Sequence, residues 1–407
     1  VEWKRLEGEV YSLGTGDVGQ LGLGPDVLEK ARPALVPGHK DVVDAVAGGM
    51  HSLLLTKTGE ARHLSFSLFP LLLTVLSFGC NDEGALGRTT SSLDDSEMKP
   101  GVVELPEPVS LISGGDSHSA ALTMSGAVFV WGNFRDSSGP MGLLAAGKSE
   151  PKPVRIADGI KQIASGNDHL VLLTKDGRLL TLGNGEQGQL GRVARSFASR
   201  GGRKGPGHLL QPMAIEVRKA RGCSSATFDR IWTGSYVTFA RMRENGALYG
   251  FGLNNYYQLG ALAATSADEP VQFMPTLLTS CSAHRWKKLC GGQHHTLLLD
   301  EQGDVYSMGR SDYGRLGLGS ACGDQTTPQK VPGLPPCVDI ACGDSVSFAV
   351  TKEGKVFSWG LGNNGQLGHG NDEDVHEPKP MTSKQMSSKK AQLVSGGGQH
   401  TLIIATD

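Results

Sequence analysis

Apolar positions in this chain come in short runs of five or six residues rather than in stripes of helical spacing, and the runs occur in pairs around tight turns. Ser119-Ala-Ala-Leu-Thr123 and Ala127-Val-Phe-Val-Trp131, split by Ser125-Gly126, are one such pair. Two β-rich runs around a turn predict a hairpin. Seven times the second run ends in an apolar or aromatic residue followed by a glycine-rich turn, marked by Gly14, Gly79, Gly132, Gly183, Gly252, Gly309 and Gly360. Upstream of most markers stands Gly-x-x-His, ending at His51, His118, His169, His295 and His400; Val237 and Val346 take the place in two units. A repeat of about 50 residues signals a propeller or solenoid. Each unit offers a few antiparallel strands, too few to bury a core alone, whereas a ring of seven protects most strand edges.

The fold predicted is therefore all-β, a single seven-bladed β-propeller spanning residues 1–407. The chain ends on the first half of a unit, Gly396 to Ala405, and starts on the second half, Gly8 to Gly14. One blade should thus be built from both termini, locking the ring. Residues 61–74 break the arithmetic. Removing Ala61 to Thr74 rejoins Thr58-Gly59-Glu60 to Val75-Leu-Ser-Phe-Gly79 and restores the blade-two hairpin. The segment is apolar but too short to span a bilayer. A membrane or partner anchor is one reading; an insertion at a hairpin tip is the simpler one.

Composition narrows the function. The 57 glycines are about twice the usual ~7% share, as many tight turns require. Seven cysteines without Cys-x-x-Cys spacing speak against zinc and a disulfide framework, and for a reduced compartment. A net charge of -2 speaks against a bulk polyanion binder, so any basic face must be local. Gly14-x-Gly16-x-x-Gly19, Gly183-x-Gly185-x-x-Gly188 and Gly360-x-Gly362-x-x-Gly365 match a dinucleotide fingerprint. That fingerprint needs a following helix to receive phosphate, and Gln-Leu-Gly follows instead, so they read as blade turns. The histidines fall one per blade and read as ties from a loop to neighbouring backbone. No nucleophile–base or carboxylate pair can be defended from spacing. No metal, cofactor or bond-making catalysis is expected.

Function should lie where one unit departs from the others. In blade three the second glycine follows the marker by seven residues rather than five, which places Phe134, Arg135, Asp136, Ser137 and Ser138 on a lengthened loop. A polar loop on a rigid ring is a good insertion device; a harmless extension is the bland alternative. The Gly-x-x-His corners carry Asp116, Asp168 and His294, which should line one face and suit a basic partner. From Arg192 to Arg221 eight basic residues meet one acid, Glu216. Such a loop could meet phosphates or an acidic protein surface, or simply be solvated.

Gly16-Asp-Val-Gly-Gln-Leu-Gly-Leu-Gly24, Phe78-Gly-Cys-Asn-Asp-Glu-Gly-Ala-Leu-Gly87, Gly115-Asp-Ser-His118, Phe134-Arg-Asp136, Ser165-Gly-Asn-Asp-His-Leu170 and Gly291-Gly-Gln-His-His-Thr296 resemble the regulators of chromosome condensation. These are chromatin-bound guanine-nucleotide exchange factors for the small GTPase Ran. The resemblance runs end to end apart from 61–74, and it implies a seven-bladed propeller. It also implies that Phe134 to Ser138, with Arg135 foremost, form a wedge pressed against the GTPase phosphate-binding region. By the same resemblance Asp116, Asp168, His294, His51, His400 and Arg192 belong to the exchange site. Arg195, Arg200, Arg203 and Lys204 correspond to a loop engaging the histone acidic patch beside nucleosomal DNA. Nuclear, chromatin-associated localisation follows, with no membrane partner and no cofactor. The family's basic N-terminal tail for import and DNA contact has only Lys4-Arg5 near its place. A propeller that binds nucleosomes or another protein without exchange activity is the competing reading.

Overall fold

The computed structural model describes residues 7–57, 73–91, 95–217, 226–262 and 270–407. It shows seven four-stranded antiparallel sheets and one two-stranded ribbon. The seven sheets are the blades of a ring. In blade three the strands run, from the axis outward, Val109–Gly114, His118–Thr123, Val128–Gly132 and Glu150–Ala157. Blade one joins the termini: Glu9–Thr15 pairs with His400–Thr406 in the register Glu9↔Ala405 to Gly14↔His400. Its inner strands come from the C-terminus and its outer ones from the N-terminus, so ring closure is made of backbone hydrogen bonds.

Both faces of each blade are covered by a neighbour, and the second strand is the most enclosed. All six residues of His118–Thr123, His169–Thr174 and Val346–Thr351 are buried. Core clusters form between blades rather than within them. One joins Leu53, Leu55 and Val75 of blade two to Ile112, Phe129 and Trp131 of blade three. Trp131 donates Nε1–H across this junction to the Ala85 carbonyl at 2.8 Å, and Trp359 does the same to Arg315 at 3.0 Å. The marker glycines end the third strand where the neighbouring corner closes over it. Gly132 has φ +96°, and a Cβ there would lie 2.3 Å from the Ser117 carbonyl oxygen. The turns that mimic a dinucleotide fingerprint are tight turns, with Gly19 donating to Gly16 and Gly22 to Gly19 at 3.0 and 2.9 Å, and no helix starts directly at any of them.

In blade two, Leu73 and Thr74 already belong to the third strand, pairing with Lys57 and Thr56. The hairpin therefore reaches two residues further into the 61–74 segment than hydrophobic spacing alone indicated; residues 61–72 lie outside the described ones.

Four of the five recurring corner histidines, all but His118, tie blade to blade through a hydroxyl. His51 Nε2 lies 2.9 Å from Ser119 Oγ, His400 Nε2 2.8 Å from Ser52 Oγ, His169 Nε2 3.0 Å from Thr238 Oγ1 and His295 Nε2 2.8 Å from Ser347 Oγ. Each hydroxyl gives its only proton to a carbonyl, of Ala85, Gln20, Gln189 and Arg315 respectively. The imidazole must then be the donor, through Nε2–H. Burial pushes His51 down to about 4 and His169, His295 and His400 to about 3, which keeps them neutral and suited to this role. Ser52→Ala removes the shared atom and leaves a buried N–H and a buried carbonyl unpaired. A loss of about 1–3 kcal/mol is expected, visible as a lowered urea midpoint at unchanged slope.

Candidate functional site

The corners between first and second strands all open on one face of the ring. Their backbones hand hydrogen bonds from blade to blade around the axis: Gly49 to Gly115, Asp116 to Asn167, Asn167 to Ser235, Ser235 to Gly292, Gln293 to Asp344 and Gly398 to Gly48. This belt fixes the side chains of the corner residues around the mouth of a central cavity of about 350 Å³. Beside it lies a basin of about 690 Å³ lined by Glu83, Asp116, Arg135, Gln293, Asp344 and Gln399 among others.

The lengthened blade-three loop folds into a ribbon, Phe134–Asp136 paired with Gly139–Gly142. Its root is apolar. Phe134 is fully buried, packed with Leu170, Leu182 and Leu190 and 4.6 Å from the ring of His118. At its base, opposite Phe134, Gly142 has φ +98° and lies against the next turn, where a Cβ would sit 1.9 Å from the Ala145 oxygen. Its tip is held from three sides. Arg135 N–H donates to Asp168 Oδ1 at 2.8 Å and its guanidinium to Glu83 Oε1 at 2.8 Å, while its carbonyl accepts from Asn184 at 2.9 Å. Ser137 is clasped by Glu186 through backbone and hydroxyl, at 3.0 and 2.9 Å. Arg200 grips Asp136 with two parallel bonds of 2.8 and 3.0 Å. The ribbon is thus pre-organised, with Arg135, Ser137 and Ser138 presented to solvent.

Beneath it three half-buried carboxyls gather at the cavity mouth. Burial raises Asp116 to about 6, against a hydrogen bond from Asn167. Burial, then the charge of Asp116, raises Asp168 and Asp344 each to about 7. The groups inhibit one another's ionisation, so a cation arriving from outside would be strongly attracted. On the far rim His294 meets Tyr256 edge-on, ring centroids 5.0 Å apart, and Arg310 caps the Tyr256 ring at 4.6 Å.

The structure brings together Phe134 to Ser138, Asp116, Asp168 and, across the mouth, His294. His51 and His400 do not join them. Both are buried inter-blade ties, so any contribution they make passes through the corners they hold. Arg192 is likewise turned inward, its guanidinium donating to carbonyls of Thr181, His208, Leu209 and Gln211. It braces the outer strand rather than facing a partner. Arg200 is engaged by the ribbon and is not free for an acidic surface. Arg203 and Lys204 are exposed beside it, Lys204 lying 5.3 Å from the Phe197 ring, and Arg195 is exposed at the start of the same segment. Residues 218–221, the far end of the basic run, lie outside the described residues. Sequence reasoning missed Asp344 and Glu83. Asp344 was legible, since Gly343-Asp344-Ser345-Val346 is a corner with Asp where Asp116 stands, but its valine hid it from a histidine-based search. Glu83 sits in an ordinary blade turn, and only the fold puts it 52 positions away against Arg135.

The RCC1-like domain family matches residues 9–403. A regulator of chromosome condensation from Mus musculus is 50% identical over 404 residues, covering 98% of this chain and 91% of the relative. The Drosophila melanogaster protein of that name is 43% identical over 400 residues, covering 98% and 68%. Among solved structures, Prp20p from Saccharomyces cerevisiae, studied with its binding to Gsp1p and histones, superposes with a TM-score of 0.84. It is 28% identical and the match covers 98% of this chain and 92% of that one. A ring closed by both termini, a blade-three ribbon and a near full-length match at half identity converge: this chain belongs to the RCC1-like domain family, among the regulators of chromosome condensation.

Proposed function

We infer that this protein is a guanine-nucleotide exchange factor for the nuclear small GTPase Ran, working from chromatin. The observation that carries the reading is the braced ribbon at the rim of an acidic mouth, joined to a relative named a guanine nucleotide exchange factor in Saccharomyces cerevisiae. Exchange makes and breaks no covalent bond. A GTPase holds its nucleotide with a phosphate cradle, a lysine and Mg²⁺. Arg135 and the exposed serines are set to press on that cradle, while Asp116, Asp168 and Asp344 offer negative charge to basic groups released from the phosphates. By linkage, whatever the ribbon does to loosen nucleotide, nucleotide does equally to loosen the ribbon. A loosening of roughly 10⁵-fold needs about 7 kcal/mol of differential contact, more than one side chain supplies, so a broad rigid face is required. Exchange is accelerated in both directions, and the ratio of free nucleotides sets the net direction.

Arg195, Arg203 and Lys204 are proposed to reach the histone acidic patch, and nuclear, chromatin-associated localisation follows from that contact. Of the 61–74 segment, all but the strand residues Leu73 and Thr74 is proposed as an insertion at the blade-two hairpin tip. Arg135→Ala is expected to slow release of fluorescently labelled GDP from Ran by about 10–100-fold, the loss of one charge-assisted contact of about 1.5–3 kcal/mol, with the thermal midpoint unchanged. Unchanged release would remove the ribbon from the mechanism. Nucleosome binding without any effect on GTPase nucleotide release would instead favour a pure interaction module.

A further inference from the structure

The inner strands of blades six and seven, Trp286–Gly291 and Cys337–Cys342, bring two thiols together on the wall of the central cavity. Cys290 Sγ lies 3.2 Å from Cys342 Sγ, and both residues line that cavity and are half-buried. The same position is visible at two other junctions. Ser113 Oγ accepts the N–H of Ser165 at 2.8 Å, and Ser395 Oγ accepts that of Ala47 at 3.0 Å. There a serine two residues before the corner glycine bonds the residue one before the next blade's corner glycine. Cys290 and Cys342 occupy these two places. Cys290 Sγ stands where a serine hydroxyl stands at those junctions, and Cys342 sets a second sulfur against it from the residue whose amide is bonded there.

We propose that Cys290 and Cys342 are a peroxide-responsive thiol pair that closes into an inter-blade disulfide, stapling blade six to blade seven. Hydrogen peroxide is the oxidant, small enough to enter the cavity. The thiolate of Cys290 attacks one peroxide oxygen; the O–O bond breaks, hydroxide leaves and takes up the thiol's proton as water, and a sulfenic acid remains. Cys342 sulfur then attacks the sulfenic sulfur. Its S–O bond breaks, the second thiol's proton goes to the departing oxygen, and a second water leaves. Two thiols and one peroxide give one disulfide and two waters, the sulfurs losing two electrons and the peroxide gaining them. Lys288, two residues from Cys290, places its ammonium 2.6 Å from Asp339, and its charge pulls the Cys342 thiol down only slightly. Burial and the neighbouring Cys290 push the Cys342 thiol well up, which suits Cys342 to the second, resolving step. The bond would close just behind the corner where Gln293 N–H meets the Asp344 carbonyl at 3.0 Å, on the carboxyl-lined face.

The full chain, reduced, desalted and treated with dilute hydrogen peroxide, should be denatured, alkylated, digested and read by mass spectrometry without reduction. A peptide pair joined through Cys290 and Cys342 is expected, absent from Cys290→Ser and abolished by phosphine reduction. Serine is tolerated at this place in Ser113 and Ser395, so the variant should keep the fold, checked by circular dichroism. The oxidised wild type should melt several degrees above its reduced form because the bond closes a long loop, with no such shift in Cys290→Ser. Recovery of both cysteines as alkylated thiols, as separate sulfinic acids or joined to other cysteines would overturn the proposal.

Discussion

Phe134→Ala should abolish exchange more completely than any change at the ribbon's tip, while leaving the ring closed. Phe134 is the ribbon's largest apolar anchor, fully buried among Leu170, Leu182 and Leu190, with Met141 of the second strand in the same core. Truncating a buried phenylalanine removes about 3–5 kcal/mol. The ribbon has strands of three and four residues, and so short a hairpin does not hold itself together in water. With its root gone, Met141 and the polar clasps from Asp168, Glu83 and Glu186 must hold it, the clasps each a half-exposed bond of modest net value. Labelled-GDP release from Ran should fall by at least about 100-fold, beyond Arg135→Ala, since about 3 kcal/mol is roughly two decades. Amide exchange should rise over residues 133–148 and stay unchanged in the second strands of the other blades. Normal release with a loosened ribbon would show that its rigidity is dispensable. The site for this anchor is a local break in the repeat. At the other histidine corners the imidazole meets a serine or threonine hydroxyl of the next blade. The residue after His169 is Leu170, so His118 has neither ring nitrogen paired and packs on Phe134 instead. At this junction an apolar root replaces the polar tie.

Much of this was readable from the chain because the fold is a repeat. The marker glycines and Gly-x-x-His corners set seven blades and the shared blade, since each unit must satisfy the same steric demands at the same spacing. The two extra residues after Gly132 pointed to the ribbon because a departure stands out against six regular copies. What could not be read is anything decided by where a side chain points across blades. His51 and His400 share the sequence surroundings of corner residues, but lie at the start of a buried strand, one step beyond the exposed positions. Arg192 and Arg200 look like their basic neighbours in a flexible stretch, yet one is taken by carbonyls and the other by Asp136. Partners such as Glu83 for Arg135 are a whole blade apart in sequence, and no local pattern joins them.

Asp344→Asn should make the isolated protein more stable above neutral pH while weakening its action on a GTPase. Asp344 is raised to about 7 by burial and by Asp116, well above an unfolded value near 3.9. A carboxyl raised in this way binds its proton more tightly folded than unfolded. Its contribution therefore favours folding below the unfolded value, where both states are protonated, and is lost as pH rises through about 7 and the buried group must ionise. The five buried corner histidines act in the opposite sense. Lowered to between about 3 and 4, they destabilise the ring as pH falls below about 6.5. A bare stability curve would mix the two, but the difference between Asp344→Asn and wild type cancels the histidines. That difference should be largest near pH 8, on the order of a few kcal/mol in favour of the variant, and shrink towards zero near pH 4. Urea midpoints at both pH values check it; a variant less stable than wild type at pH 8 would mean that the carboxylate is already compensated in the free ring. The same substitution removes a charge that a basic partner would neutralise, so release of labelled GDP should slow by about 10-fold, roughly 1.4 kcal/mol. Stability gained together with activity lost is the signature of a strained recognition site. Asp116 and Asp168 share the mouth with Asp344, and so does their repulsion, held in the free ring until a cation of the partner arrives to relieve it.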